Sequence, residues 1–137
     1  MTTFESPVKY IQAPVAEVYT RLSDLNNLEK AKNKIPEDKI KNMECDRDSC
    51  RFTIDPAGEI EIRVIEREEP KTVKFGSEKS PIPFFLWIQL VPVSEAETKI
   101  KLTIKAELNP FIKGMISKPL QEGINKLADV LAALPYQ

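Results

Sequence analysis

Residues 99–134, KIKLTIKAELNPFIKGMISKPLQEGINKLADVLAAL, hold two periodicities back to back. Ile100, Leu102, Ile104, Ala106 and Leu108 alternate with Lys99, Lys101, Thr103, Lys105 and Glu107, the two-residue rhythm of a half-buried strand. Asn109-Pro110 breaks that rhythm. From Phe111 to Leu134 the apolar spacing turns helical, through Ile112, Ile116, Leu120, Ile124, Leu127 and Leu131. Pro119 is expected to start a new segment or kink a continuous helix, and Pro135 to stop it. A clean final strand that runs straight into one long apolar helix describes an antiparallel sheet with a helix laid across it.

The segments upstream supply the rest of the sheet. Thr3 to Gln12 reads as a first strand, with Phe4, Val8 and Tyr10 on one parity. Pro14 opens a short helix whose apolar stripe is Val15, Val18, Tyr19 and Leu22. Asp24 can cap a second short helix from about Leu25 to Lys34, ended by Ile35-Pro36. Two hairpins then check each other. A loop at Asp46 to Ser49 sets Cys45 against Cys50 and Met43 against Phe52. A loop at Pro56-Ala57-Gly58 sets Ile54 against Ile60, Phe52 against Ile62 and Cys50 against Val64. Both place Met43, Cys45, Cys50, Phe52, Ile54, Ile60, Ile62 and Val64 on one face, with Arg51, Glu59, Glu61 and Arg63 on the other. A turn at Glu69-Pro70 adds Phe75 beside Val64.

Phe84 to Val93 is apolar on both parities, so its register stays open. A four-residue turn at Ser94 to Glu97 points Phe85, Trp87, Gln89 and Val91 inward. A three-residue turn at Glu95 to Glu97 points Phe84, Leu86, Ile88 and Leu90 inward. In either case an outward apolar set must be covered or form an exposed patch.

A helix of about 24 residues is roughly 36 Å long and about 10 Å wide. Seven strands at about 4.8 Å spacing span roughly 29 Å. One helix cannot cover a flat sheet that broad, so the sheet curls and an apolar pocket between helix and sheet is the expected binding site. The alternative is a solid core. The predicted lining is Phe52, Ile62, Phe75, Trp87, Ile104, Met115, Ile116, Leu120, Ile124 and Leu127.

The order strand, two short helices, six strands, long helix resembles the START-like, Bet v 1-like helix-grip superfamily, which includes the polyketide cyclase/dehydrase and lipid-transport group. The opening SPVKYIQAPVAEVYTRLSDL, residues 6–25, is similar to that group's strand, Ala-Pro and helix ending in Ser-Asp. LVPVSEAETKIKLTIKAELNPFIKGM, residues 90–115, is similar to its penultimate hairpin and the lead-in to its last helix. The resemblance spans the chain and implies an α+β helix-grip fold, a curved seven-stranded antiparallel sheet wrapped around the C-terminal helix. It implies a binder of small hydrophobic molecules or lipids, with enzymes a minority.

Composition narrows the chemistry. The 137 residues read as one domain, 1–137, able to bury about 68% of its unfolded surface. With 42% hydrophobic and 30% charged residues, the chain is neither disordered nor membrane-spanning. The longest apolar run, Ile82 to Val93, contains two prolines and a glutamine, so no stable membrane insertion is expected. The N-terminus has no signal-peptide pattern, which implies a cytoplasmic protein. A net charge of −1 gives no bulk reason to expect nucleic acid.

The chain contains no histidine, which removes the commonest general base and metal ligand. Two cysteines alone cannot make a standard zinc site, and four scattered glycines make no phosphate loop. No metal, nucleotide or flavin cofactor is expected. Cys45 and Cys50 lie within reach of a disulfide, but a reducing cytoplasm makes them two small buried thiols. Asp55, Glu59 and Glu61 cluster near a turn, with the two glutamates on the solvent face. Lys30, Lys32, Lys34, Lys39 and Lys41 form either a basic rim or an ordinary solvated face. Gly114 and Gly123 either permit bending or close approach in the last helix, or are surface residues. The preferred reading is a non-enzymatic carrier of a hydrophobic or lipid-like ligand. Left open are a cyclase- or dehydrase-like enzyme, for which no inward acid or base can be named, and an interaction module or homodimer using the outward face of Phe84–Val93.

Overall fold

The computed structural model describes residues 1–27, 41–54, 58–80, 82–134 and 136. In chain order these form β1 (Thr2–Glu5), β2 (Lys9–Ile11), α1 (Val15–Leu22), β3 (Lys41–Cys45), β4 (Ser49–Ile54), β5 (Gly58–Glu68), β6 (Thr72–Lys79), β7 (Phe84–Ser94), β8 (Glu97–Ala106) and α2 (Pro110–Ala132). The strands make one antiparallel sheet in the order β1-β8-β7-β6-β5-β4-β3, with β2 also on β8. The long helix lies against β8, β1 and β2, and α1 against β7 and β8. This is the expected grip. The second short helix expected after α1 falls mostly outside the described residues. At its start the Asp24 carboxylate accepts the Asn26 N–H at 3.0 Å.

The single first strand expected from Thr3 to Gln12 is two, and the reason is Ser6-Pro7. Proline cannot donate to a ladder, so pairing with β8 stops there and resumes one residue out of phase. Phe4 pairs with Ile104, but Lys9 pairs with Ile100. Ser6 bridges the gap, its hydroxyl accepting the Leu102 N–H at 2.9 Å and donating to the Pro7 carbonyl at 2.9 Å. The slip puts Phe4 and Ile11 in the core and leaves Val8 and Tyr10 exposed, against the shared parity expected for them.

The central hairpins keep their faces but change partners. Phe52 pairs with Ile60 and Cys50 with Ile62, two residues away from the expected register. A shift of two preserves the side-chain face in a strand of period two, so Cys50, Ile60 and Ile62 are still buried. Cys45 stands opposite Cys50, and Val64 opposite Phe75, as expected. Between Lys41 and Glu44 the register shifts, at Asn42, whose φ of 55° is one that asparagine tolerates better than most residues. The two cysteines are joined in a disulfide, S–S 1.97 Å, which corrects the expectation of reduced thiols.

Strand β7 points the second of its two expected sets inward, but through neither of the expected turns. Ser94 pairs with Glu97 around a two-residue turn, with an irregularity between Pro92 and Ser94. Phe84, Leu86, Ile88 and Leu90 therefore share the face of Ala106, Ile104, Leu102 and Ile100. Ile100 and Leu102 are fully enclosed, and each contributes about 1.5–3 kcal/mol of transfer free energy. The last helix is continuous through Pro119. Its N-cap is Asn109, whose side-chain oxygen accepts the Ile112 N–H at 2.9 Å. Among the described residues no helix is long and apolar enough to cross a membrane.

Candidate functional site: the concave face of the sheet

The two ends of the grip are filled differently. At one end α1 contributes Val18, Tyr19 and Leu22, and the second half of α2 contributes Ile124, Ala128 and Leu131. These side chains close over Val73, Ile88, Leu90, Ile100 and Leu102. Thr98, fully buried there, donates its hydroxyl to the Ala13 carbonyl at 2.8 Å. Tyr136 donates to the Leu131 carbonyl, and burial pushes its phenol well above the ordinary tyrosine value, so it stays protonated. Tyr19 is shifted up for the same reason. Neither phenol can serve as a base near neutral pH.

Elsewhere on the concave face a subset of the inward side chains is only half buried. Phe52, Val64, Phe84 and Ile104 on the sheet and Leu127 on α2 pack against the core without being closed over. Ile112, Ile116 and Leu120 on α2 are also half buried. Ile104 decides what this means. Phe4 flanks it on β1 and Leu86 on β7, both buried, so the surface Ile104 leaves open looks into the concavity. The helix crosses above an apolar surface that it does not fully cover. Ser77, facing Ile62, adds a hydroxyl that accepts the Phe84 N–H at 3.1 Å.

The predicted lining sorts into three groups. Ile62, Phe75 and Ile124 are buried inward, in the floor and core. Phe52, Ile104, Ile116, Leu120 and Leu127 are half buried. Trp87 and Met115 stand elsewhere. Trp87 pairs with Thr103 on the convex face, because the β7 turn sends Leu86 and Ile88 inward instead. There the Lys74 and Lys105 ammonium groups lie 5.1 and 5.7 Å from its ring centroid, and Phe85 is 6.0 Å away. The lysine stems screen Phe85 and Trp87 of the outward apolar set, while Val91 and Val93 further along the strand stay exposed. Met115 is 68% exposed, since the inward stripe of α2 runs through Ile112, Ile116 and Leu120 and Met115 lies about 100° away from Ile116. Phe84, Val64 and Ser77 were absent from the predicted lining. For Phe84 the missing information was the turn length. Val64 was already on the right face.

Several polar readings also resolve. Glu59 and Glu61 lie opposite Thr53 and Arg51, on the face away from Ile60 and Ile62. Asp55 and the lysines 30, 32, 34 and 39 lie outside the described residues. A side chain placed at Gly114 or Gly123 would meet nothing within 4 Å, so neither glycine serves a close approach. Among the described residues no group of three or more His, Cys, Asp or Glu side chains could hold a metal ion. The loop after β3 is a rigid corner: the Asp46 carboxylate accepts the Asp48 and Ser49 N–H groups at 2.8 Å each. Bonds to Asp48 and Ser49 hold that carboxyl below its ordinary value. Arg67 ties the corner to α1, donating to the Ser23 carbonyl at 2.8 Å and to Asp48 Oδ1 at 2.8 Å.

No protein-family model matches this sequence, and no curated protein matches it. Solved structures do. Norcoclaurine synthase from Thalictrum flavum, in complex with dopamine and hydroxybenzaldehyde, superposes with a TM-score of 0.74 over 96% of this chain and 84% of that one, at 14% identity. This is the START-like, Bet v 1-like helix-grip fold. A protein from Thermus thermophilus shares it with a TM-score of 0.66, over 96% and 94% of the two chains, at 21% identity. A protein from Thermobifida fusca does so with 0.68, over 96% and 91%, at 15% identity.

Proposed function

We propose that the protein binds a small, uncharged hydrophobic or lipid-like molecule between the first half of α2 and the concave face of the sheet. The observation that carries this reading is Ile104, an inward residue on a central strand that is left half open between two buried neighbours. Phe4, Phe84, Leu86 and Ala106 around it are apolar, so a charged ligand group placed there would lose its hydration without a partner. A ligand gains affinity by covering this surface, at about 25 cal/mol per Å². The Ser77 hydroxyl offers one directional contact, suited to a ligand hydroxyl or carbonyl.

The shared fold supports the reading, because norcoclaurine synthase holds two small aromatic molecules in its complex. A carrier needs no acid or base in the concavity, and the buried phenols of Tyr19 and Tyr136 are held protonated. Native mass spectrometry of the purified protein, paired with displacement of an apolar fluorescent probe by fatty acids and by small aromatic alcohols, tests this. Retained small-molecule mass, or a saturable and displaceable probe signal, is expected. Neither retained mass nor displaceable binding would sink the proposal.

A further inference from the structure

One inward hydroxyl on the concave face keeps its proton free. Ser77 stands opposite Ile62 and two residues from Phe75, both buried inward, so its side chain belongs to the concavity. Its oxygen accepts the Phe84 N–H at 3.1 Å. Among the described residues it donates to no acceptor, and Ser77 itself is only half buried. The other inward hydroxyls are spent or remote. Thr98 donates to the Ala13 carbonyl, Tyr136 to the Leu131 carbonyl and Ser6 to the Pro7 carbonyl. Ser80, just beyond β6, donates to the Ile82 carbonyl at 2.7 Å. The Tyr19 phenol lies at the filled end. Thr2 shares the inward face of β1, but three strand spacings, roughly 14 Å, separate it from Ser77.

A ligand that covers Ser77 has to accept this proton, because a buried donor left unpaired costs more than one hydrogen bond returns. A carbonyl oxygen accepts it and brings no donor of its own. An alcohol brings a second proton, so two donors share one contact. The neighbouring Ile62, Phe75 and Phe84 side chains offer no acceptor for the one left over. A carboxylate brings a charge that one hydroxyl cannot satisfy among apolar neighbours. We infer that the ligand is a neutral carbonyl compound, a ketone, aldehyde or ester, held with its carbonyl oxygen on the Ser77 hydroxyl. This assignment rests on the binding site proposed above. Ser77 and Ile104 stand two strands and two residues apart, roughly 12 Å, so an apolar body that also covers Ile104 is at least that long.

The test uses the full chain, the neutral probe N-phenyl-1-naphthylamine and eleven-carbon competitors: 2-undecanone, 2-undecanol, undecane and undecanoate. On wild type the ketone should displace the probe at about fivefold lower concentration than the alcohol or the carboxylate. Ser77→Ala should weaken the ketone about fivefold and leave undecane unchanged. Ser77→Thr keeps the hydroxyl and should restore the preference. The carbon-13 resonance of carbonyl-labelled 2-undecanone should lie further downfield on wild type than on Ser77→Ala, which a purely structural role would not produce. Ser77→Ala also removes the acceptor of the Phe84 N–H, so urea midpoints are measured alongside. If that variant does not fold, the ketone-to-alcohol ratio on wild type decides. Equal displacement by ketone and alcohol overturns the assignment and leaves the apolar site standing. So does a folded Ser77→Ala that loses undecane as much as ketone. If wild type binds neither the probe nor any competitor, the site and the assignment fall together.

Discussion

Tryptophan placed at Ile104, and separately at Leu102, distinguishes an open concavity from a filled core, because the two positions share a strand and a face. Leu102 is fully enclosed, between Ile88 and the Ser6 bridge. An indole there has no space, and overpacking costs about 1–3 kcal/mol or more. With a urea slope of roughly 2 kcal/mol per M, the midpoint should fall by about 0.5–1.5 M. Ile104 has open surface toward the concavity, so an indole there extends into unoccupied space and should move the midpoint by less than about 0.5 M. It should instead compete with ligand. Displacing about 55 Å² of ligand contact at about 25 cal/mol per Å² is about 1.4 kcal/mol, a tenfold loss of probe affinity. The assay is urea denaturation of both variants together with titration of an apolar fluorescent probe. Equal destabilisation at both positions, with no probe binding by wild type, would refute the open concavity. Probe binding unchanged in Ile104→Trp would show that the ligand sits elsewhere.

Four further outcomes follow from the geometry. The disulfide closes a loop of only about six residues in the unfolded state, so its removal by Cys45→Ser with Cys50→Ser should cost about 2 kcal/mol, read as a lower urea midpoint that reductant no longer changes. Ser6→Ala leaves the buried Leu102 N–H without its acceptor and should cost about 1–3 kcal/mol by the same measurement. The Asp46 carboxyl is lowered in the folded state, so its stabilisation is present above the unfolded value near 3.9 and is lost as pH falls through the lower folded value. In Asp46→Asn the acid limb of the stability profile should therefore be shallower below about pH 4. Gly114→Ala and Gly123→Ala add methyl groups into open space on a helix and should each stabilise by up to about 1 kcal/mol, seen as higher thermal midpoints.

Much of the architecture was legible because period is a local property. Alternation through Ile100, Leu102 and Ile104, its break at Asn109-Pro110 and the helical spacing after Phe111 required no knowledge of distant residues. The face of Cys50, Ile60 and Ile62 could be read for the same reason, and it survived a pairing error of two residues. Whatever depended on a one-residue step could not be read this way. Ser6-Pro7 shifts the first strand's phase only because Ser6 finds the Leu102 backbone 96 residues away. The inward set of β7 turned on a two-residue bend and an irregularity at Pro92–Ser94, since both parities of that strand are apolar. Trp87 was misplaced across the sheet on those grounds, whereas Met115 lies off the helical stripe through Ile112, Ile116 and Leu120 that local spacing already showed. Sequence alone determined that a narrow helix must lie across a broad, curled sheet, because strand number and helix length follow from counting. Only the tertiary structure decided which part of the concavity is filled, because the short helix and the second half of α2 share one end, and that sharing is a matter of packing between segments far apart in the chain.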